Sequence, residues 1–164
     1  MTEHIARGFL DRLDAVEERL SRLAGLPPPD GLTEPDVPSL ETWDWGQVWA
    51  HLAEFPGYWT TELRKILAGG WTADPPFGRT KADPARIQAI ERDRHVPASG
   101  LMARLRPELS DLRNLLTEMS PEAWRRRVSH PTLGILGMGR VMEEFLVGHL
   151  EAHAAQLDAL VERS

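Results

Sequence analysis

The chain has 164 residues, of which 41% are hydrophobic and 27% charged, and this is enough to bury a sizeable core. We therefore expect a single domain over residues 1–164. The net charge of −6 argues against nucleic acid as a partner, because phosphate binding needs a basic face. The sequence contains no cysteine, which excludes disulfides, thiolate metal ligands and a cysteine nucleophile.

The sequence also lacks the usual signals for export or membrane insertion. Residues 1–7 have no basic region followed by an apolar core, so we expect no signal peptide there. No apolar run approaches the ~18 residues that a membrane span requires. We predict a cytoplasmic protein with no membrane partner.

Apolar residues that recur every three or four positions predict two long helices in the first half of the chain. The first helix covers about residues 3–24, and a proline-rich, extended connection follows over 26–41. The second helix is expected to begin after a cap at Thr42, to kink at Pro56 and to end at Gly69.

The middle of the chain is predicted to be irregular between residues 71 and 97, starting at Trp71 and including a short helix from about 83 to 94. A connection of this length in a compact domain is usually functional, and it could rim a binding cleft. A third long helix then extends from about 97 to Met119.

The last part of the chain predicts a short helix capped by Ser120, a turn at 129–134 and a long final helix over 136–162. No segment alternates with a period of two over a useful length, so no strand is predicted. The expected fold is all-α: a four-helix bundle with a long connection, short extra helices between helices 2 and 3, and at least one crossover.

Three histidines form the candidate site. His149 and His153 are four residues apart, so on a helix they lie one turn apart on the same face, which is the apolar face of the last helix. His51 lies among apolar residues of the second helix. Imidazole nitrogens in a bundle interior cost free energy unless they are satisfied, and a divalent metal would satisfy one nitrogen of each ring.

Three histidine ligands without a fourth protein ligand would leave open coordination positions, as in a catalytic metal site. Nitrogen ligands suit Zn²⁺, Ni²⁺, Cu²⁺ or Fe²⁺, and the sequence does not choose among them. The spacing alone is a weak signal, because core histidines are commonly hydrogen-bonded to a neighbour instead.

Several residues near the histidines have two interpretations. Glu54, one turn after His51, could be a hydrogen-bond acceptor for that ring or a general base, or it could face solvent. Gln156 could line the pocket or hydrogen-bond across the bundle. His130, in the predicted turn, is expected to be structural or exposed. The catalytic residues themselves are not predicted.

Four of the six tryptophans crowd into one segment of the chain. They do not fit one helical stripe, so at least one is expected outside the core, where it could line a ligand pocket or a dimer interface. These residues are Trp43, Trp45, Trp49 and Trp59.

Three segments carry a resemblance to a known family: WGQVWAHLAE at 45–54, PTLG at 131–134 and GHLEAHAAQL at 148–157. With these segments the chain resembles the DinB-like superfamily, which includes the DinB/YfiT-type metalloenzymes and the mycothiol-dependent maleylpyruvate isomerases. The resemblance follows the helix order over essentially the whole chain. It implies a four-helix bundle in which His51, His149 and His153 hold the metal.

The resemblance also implies frequent homodimers and, in some branches, transferases that use a low-molecular-weight thiol. The isomerase branch has a glutamate where this chain has His149, so the chain departs from the isomerase pattern at that position.

Three hypotheses follow. The first is a metal-dependent enzyme with a three-histidine site, a hydrolase or thiol-dependent transferase acting on a small electrophile, with zinc, nickel or iron as its metal. The alternative is a non-catalytic metal-binding or stress-response bundle. The third is a structural dimeric bundle whose core histidines are satisfied by hydrogen bonds.

Overall fold

The computed structural model describes residues 1–37, 39–70 and 73–164, so Trp71 lies outside the described residues. Within this part of the chain no helix is both long and apolar enough to cross a membrane. The helices are α1 Thr2–Ala24, α2 Trp45–Ala68, α3 Pro84–Asp93, α4 Ala98–Glu118, α5 Pro121–Trp124, α6 Met138–Phe145 and α7 Val147–Glu162; the strands are β1 Arg127–His130 and β2 Gly134–Gly137.

The long helices form the predicted bundle. Helix α1 packs against α4 and α7, and α2 packs against the same two helices. Two helices that are consecutive in the chain therefore share both neighbours, which agrees with the predicted crossover. The connection that follows α1 allows this order, because its described residues span the distance without forming a helix.

Helix α2 is covered on several sides, because α3 and α6 also pack against it. For this reason the expectation that at least one of the four crowded tryptophans lies outside the core is wrong. All four are buried, with exposed fractions of 7% for Trp43, 5% for Trp45, 1% for Trp49 and 6% for Trp59. A single apolar stripe is not required of a helix that has neighbours on most of its faces.

The N-terminus of α2 is capped by Asp44 and not by Thr42 as predicted. The Asp44 carboxylate accepts a hydrogen bond from the backbone of Gln47 at 2.8 Å, and the Gln47 side chain accepts one from the backbone of Asp44 at 2.9 Å. This reciprocal capping box satisfies two helix-terminal amides at once, so it fixes the first residue of the helix at Trp45.

The predicted turn at 129–134 is part of a β-hairpin, so the prediction of no strands is wrong. Strands β1 and β2 pair antiparallel, with Val128 opposite Leu136, and Gly134 adopts a left-handed φ of +73° at the turn. Each strand has only four residues, which is too short for a period of two to be recognised.

The last predicted helix, 136–162, is also corrected. Its first two residues belong to β2, and the remainder breaks at Leu146, whose φ and ψ of −126° and −100° are not helical. Just beyond the break, a side chain at position 148 would collide with the backbone carbonyl of Glu143. Gly148 therefore permits the close approach between the start of α7 and the end of α6.

One acidic group lies at the interface between α2 and α4. The carboxyl of Glu108 lies against Gly57, and its Oε2 atom is buried without a hydrogen-bond partner. Burial raises the pKa of Glu108 from 4.5 to about 7, and a hydrogen bond from the Gly57 backbone opposes the shift. The folded protein therefore holds this proton at pH values at which the unfolded chain has lost it.

We predict that Glu108→Gln stabilises the protein at alkaline pH. A raised folded-state pKa means that stability falls as the pH rises from 4.5 to about 7 and is constant above that. Above pH 7 the substitution should add about 1–2 kcal/mol to the free energy of unfolding, after allowance for partial solvent screening.

Urea unfolding of the wild type and of Glu108→Gln at pH 4 and pH 8 checks this expectation. Glu118→Gln is the matched control, because Glu118 is also on α4 but its side chain is 65% exposed. An equal loss of stability at both pH values in Glu108→Gln would contradict the assignment.

Candidate metal centre

The bundle brings the three predicted histidines together. His51 projects from α2 towards α7, where His149 and His153 occupy successive turns of one face. The Nε2 atom of His149 lies 3.1 Å from Nε2 of His51 and 3.0 Å from Nε2 of His153. One ring nitrogen from each residue lies within 4.8 Å of the other two, an arrangement that could hold a metal ion.

The outer nitrogens determine how many protons the converging nitrogens can carry. Nδ1 of His51 donates to Oε2 of Glu54 at 2.9 Å, and Nδ1 of His153 donates to Oε1 of Gln156 at 2.7 Å. A neutral imidazole has one N–H, so Nε2 of both rings is a bare acceptor. The three converging atoms then share at most one proton, which His149 would supply, and at least one lone pair has no donor among them.

Burial also favours the neutral rings. His51 is 4% exposed and His153 is 7% exposed, while His149 is partly buried. Burial lowers the pKa values of His51 and His149 well below the usual value, and the charges of the neighbouring rings and of Arg86 act in the same direction. Burial lowers the pKa of His153 to about 4, although its hydrogen bond with Gln156 opposes the shift. Neutral imidazole is the form that binds metals.

The distances from Nε2 of His149 to Nε2 of His51 and of His153 fit a metal ion bound between the rings. Zinc binds imidazole nitrogen at about 2.0–2.1 Å, which places adjacent ligand nitrogens about 2.8–3.4 Å apart, from right-angled to tetrahedral coordination. The observed separations of 3.1 and 3.0 Å fall in this range. A cation bound between these nitrogens would interact with the lone pairs that no proton satisfies.

Glu54 accepts a hydrogen bond from the His51 ring, which was one of the roles predicted for it. Its side chain is 7% exposed, and its two oxygens have different partners: Oε2 accepts from His51 and Oε1 accepts from Arg79. Burial raises the pKa of Glu54, and Arg79 opposes this shift. The solvent-facing alternative is therefore wrong.

Gln156 has the corresponding role for the other end of the site. Its side-chain oxygen accepts from His153, three residues earlier on the same helix. The predicted alternative, a hydrogen bond from Gln156 across the bundle, is therefore wrong. Both contacts fix the tautomer and the orientation of a histidine ring from behind, as the outer partners of metal ligands do.

Aromatic rings enclose the cluster. The ring of Phe55 lies 4.9 Å from His51 and 4.6 Å from His149 between centroids, and the ring of Trp43 lies 5.0 Å from His51 and 5.8 Å from His153. These apolar walls limit the access of water to the imidazoles and strengthen electrostatic interactions inside the site.

His130 does not join the three-histidine cluster. It is buried, its Nε2 donates to the backbone oxygen of Arg79 at 3.0 Å, and its Nδ1 accepts from the backbone of Thr132 at 3.2 Å. This agrees with the structural role predicted for it. Its place in the fold is the hairpin, not the bundle interior.

The sequence did not predict the contribution of Arg79. This residue lies in the irregular segment 71–97, which was expected to rim a cleft, and it contacts the site through Glu54. No local pattern marks it, because the contact joins residues 25 positions apart. Helical periodicity reports only which residues share a face of one helix.

Comparison with known proteins agrees with the fold. YfiT from Bacillus subtilis, described as a probable metal-dependent hydrolase with an unusual four-helix bundle topology, superimposes with a TM-score of 0.74 at 20% identity, over 96% of this chain and 86% of that one. An uncharacterised protein from Clostridium difficile 630 gives 0.65 at 7% identity, over 96% and 95%.

A crystal structure of the mycothiol-dependent maleylpyruvate isomerase gives a TM-score of 0.64 at 18% identity, over 93% of this chain. This chain spans 60% of the isomerase's length. No match was found among curated proteins. The mycothiol maleylpyruvate isomerase N-terminal domain matches residues 13–158. The chain therefore belongs to the family of mycothiol maleylpyruvate isomerase N-terminal domains, which have the DinB-like fold.

Proposed function

We propose that His51, His149 and His153 bind one divalent transition-metal ion, with zinc, nickel and iron as the candidates. The observation that carries this proposal is the convergence of three Nε2 atoms that share at most one proton. Two of the rings already use their Nδ1 protons on Glu54 and Gln156. A metal ion is the partner that satisfies all three lone pairs at the observed spacing.

We further propose that the protein is a metal-dependent enzyme acting on a small electrophile, as a hydrolase or as a thiol-dependent transferase. A metal with three protein ligands supplies an open position at which water or a thiol is activated. Glu54 and Gln156 orient the ligands, and Phe55 and Trp43 keep the site apolar. Of the three histidines only His149 is partly exposed, so we propose that a substrate approaches from its side.

The class of reaction is supported by what the relatives are described as doing. One is a probable metal-dependent hydrolase and another a mycothiol-dependent isomerase. The second makes a low-molecular-weight thiol our proposed cosubstrate class. His149 stands where the isomerase branch has a glutamate, so we do not propose the isomerase reaction itself. A homodimer, a cytoplasmic location and a single domain over 1–164 belong to the same proposal.

Metal content tests the proposal directly. Protein purified without a histidine tag or chelator should carry about one equivalent of metal per chain by elemental analysis, or take it up from Zn²⁺, Ni²⁺ or Fe²⁺. The loaded protein is then assayed with activated esters, amides and epoxides, with and without a small thiol. Failure to bind any of these ions would overturn the proposal, and metal binding without turnover would favour the non-catalytic module.

A further inference from the structure

We propose that Arg79 is a positioning residue for the histidine cluster and acts through Glu54. The inference rests on the proposed metal site, because the ring that it positions is a proposed ligand. Arg79 contacts none of the converging nitrogens. It holds the Glu54 carboxylate in the one orientation from which Oε2 accepts the Nδ1 proton of His51.

The chain of contacts from Arg79 to His51 is buried throughout. The side chains of Arg79, Glu54 and His51 are 10%, 7% and 5% exposed. A buried carboxylate needs a partner for each oxygen, because burial excludes the water that could otherwise hydrogen-bond to it. Arg79 satisfies Oε1, which leaves Oε2 for His51, so the plane of the carboxylate is set by two contacts on opposite sides.

The guanidinium of Arg79 is itself held in place. Its Cζ atom lies 4.0 Å from the centroid of the Tyr58 ring, a cation–π contact, and its Nη1 atom lies 3.4 Å from a carboxylate oxygen of Asp83. Tyr58 and Glu54 are four residues apart on α2, so one helix face provides both the carboxylate and the ring beneath the cation.

The backbone at Arg79 is positioned by the hairpin. His130 donates from Nε2 to the carbonyl of Arg79 at 3.0 Å, and the backbone of Phe77 donates to Ser129 at 2.9 Å. Gly78 between them has a φ of +84°, and a side chain there would collide with the ring of Trp59. The segment before α3 therefore lies against β1 in a conformation that only glycine adopts easily, and this aims Arg79 at Glu54.

The consequence for the site is geometric. Without Arg79, Oε1 of Glu54 loses its partner and the carboxylate can rotate, so the ring of His51 loses the contact that directs its Nε2 towards His149. Loss of the outer partner of a metal ligand, here the contact from Glu54, typically weakens metal binding 10–100-fold. A substitution in the irregular segment should therefore change a property of the bundle centre.

The test measures the affinity for Zn²⁺ by competition with a chromogenic chelator in the wild type, Arg79→Met, Arg79→Lys and Glu54→Ala. We expect Arg79→Met to bind at least tenfold more weakly and Arg79→Lys, which keeps the charge, to recover part of the loss. In the Glu54→Ala background, Arg79→Met should cause less than a twofold further loss, because its effect passes through Glu54.

The matched control is Arg64→Met. Arg64 lies on α2 and pairs with Asp111 on α4, away from the histidines, so its loss should leave the affinity within twofold of the wild type. Circular dichroism checks that each variant is folded. If Arg79→Met does not fold, Arg79→Lys replaces it as the test, and an affinity of Arg79→Lys for Zn²⁺ equal to that of the wild type then overturns the inference.

The outcomes separate the two proposals. A wild type that binds no Zn²⁺ overturns the metal site, and this inference with it. If the wild type binds Zn²⁺ and Arg79→Met binds it as tightly, only the role of Arg79 is overturned. The same holds if Arg79→Met loses as much affinity in the Glu54→Ala background as it does alone. The visible spectrum of Co²⁺-loaded protein gives a second readout, which changes if the coordination geometry at His51 is altered.

Discussion

Replacing His149 by alanine should abolish the rise in melting temperature that Zn²⁺ gives the wild-type protein. A ligand that binds only the folded state at a thousand times its Kd adds about 4 kcal/mol to stability. For a chain of this size each kcal/mol corresponds to roughly 2–4 °C. The wild type should therefore gain about 8–16 °C, and His149→Ala, with two ligands left, should gain almost nothing.

Without metal, this substitution should have little effect on stability. His149 is the shared neighbour of His51 and His153, and its removal relieves the crowding of three ring nitrogens that share at most one proton. We therefore expect the metal-free variant to be about as stable as the metal-free wild type. Differential scanning calorimetry with Zn²⁺ and with EDTA measures both quantities.

The control for this experiment is His4→Ala, since His4 is exposed at the start of α1. It should keep the full response to Zn²⁺. An undiminished response in His149→Ala would show that Zn²⁺ binds elsewhere on the protein and would contradict the proposed ligand set.

Phe55→Ala is expected to have the largest effect on the metal-free fold. Phe55 is fully buried in α2, and its ring lies within 5.8 Å of all three histidine rings between centroids. Truncation of a buried phenylalanine costs about 3–5 kcal/mol, from lost apolar contact and from the cavity left behind. The cavity would open beside the imidazoles, so the variant should also bind Zn²⁺ more weakly.

Guanidinium chloride unfolding measures the first effect and chelator competition the second. Phe55→Leu keeps most of the apolar volume and should cost less than about 1.5 kcal/mol while retaining the affinity for Zn²⁺. A loss below about 1 kcal/mol in Phe55→Ala would mean that the bundle repacks around the site, against the tight enclosure described above.

The sequence was sufficient to predict the parts of the molecule that depend on long helices. His51, His149 and His153 lie on apolar faces with a clear period, and two such faces in a bundle point to a common interior. Glu54 was recognised as a candidate because it is one turn from His51. Which way it faces depends on the neighbouring segment, which no helical period describes.

The hairpin and the break at Leu146 could not be predicted for a related reason. Strands of four residues are too short to show an alternation, and the pairing of β1 with residues 75–77 is a contact between distant parts of the chain. At Leu146 the apolar pattern continues across the interruption, because the residues on both sides are buried. Periodicity records burial, and burial does not report on backbone angles.

The two orienting contacts of the site have a simple origin in the covalent order of the chain. Glu54 follows His51 by three residues, and Gln156 follows His153 by three residues, so each helix carries both an imidazole and the group that steers it. Two short helical stretches, residues 51–54 and 149–156, thus contain the chelating set together with its supports. Grafted at matching depth into two facing helices of an unrelated bundle, these stretches would bring a nearly complete chelator with them, and only the role of Arg79 would have to be rebuilt.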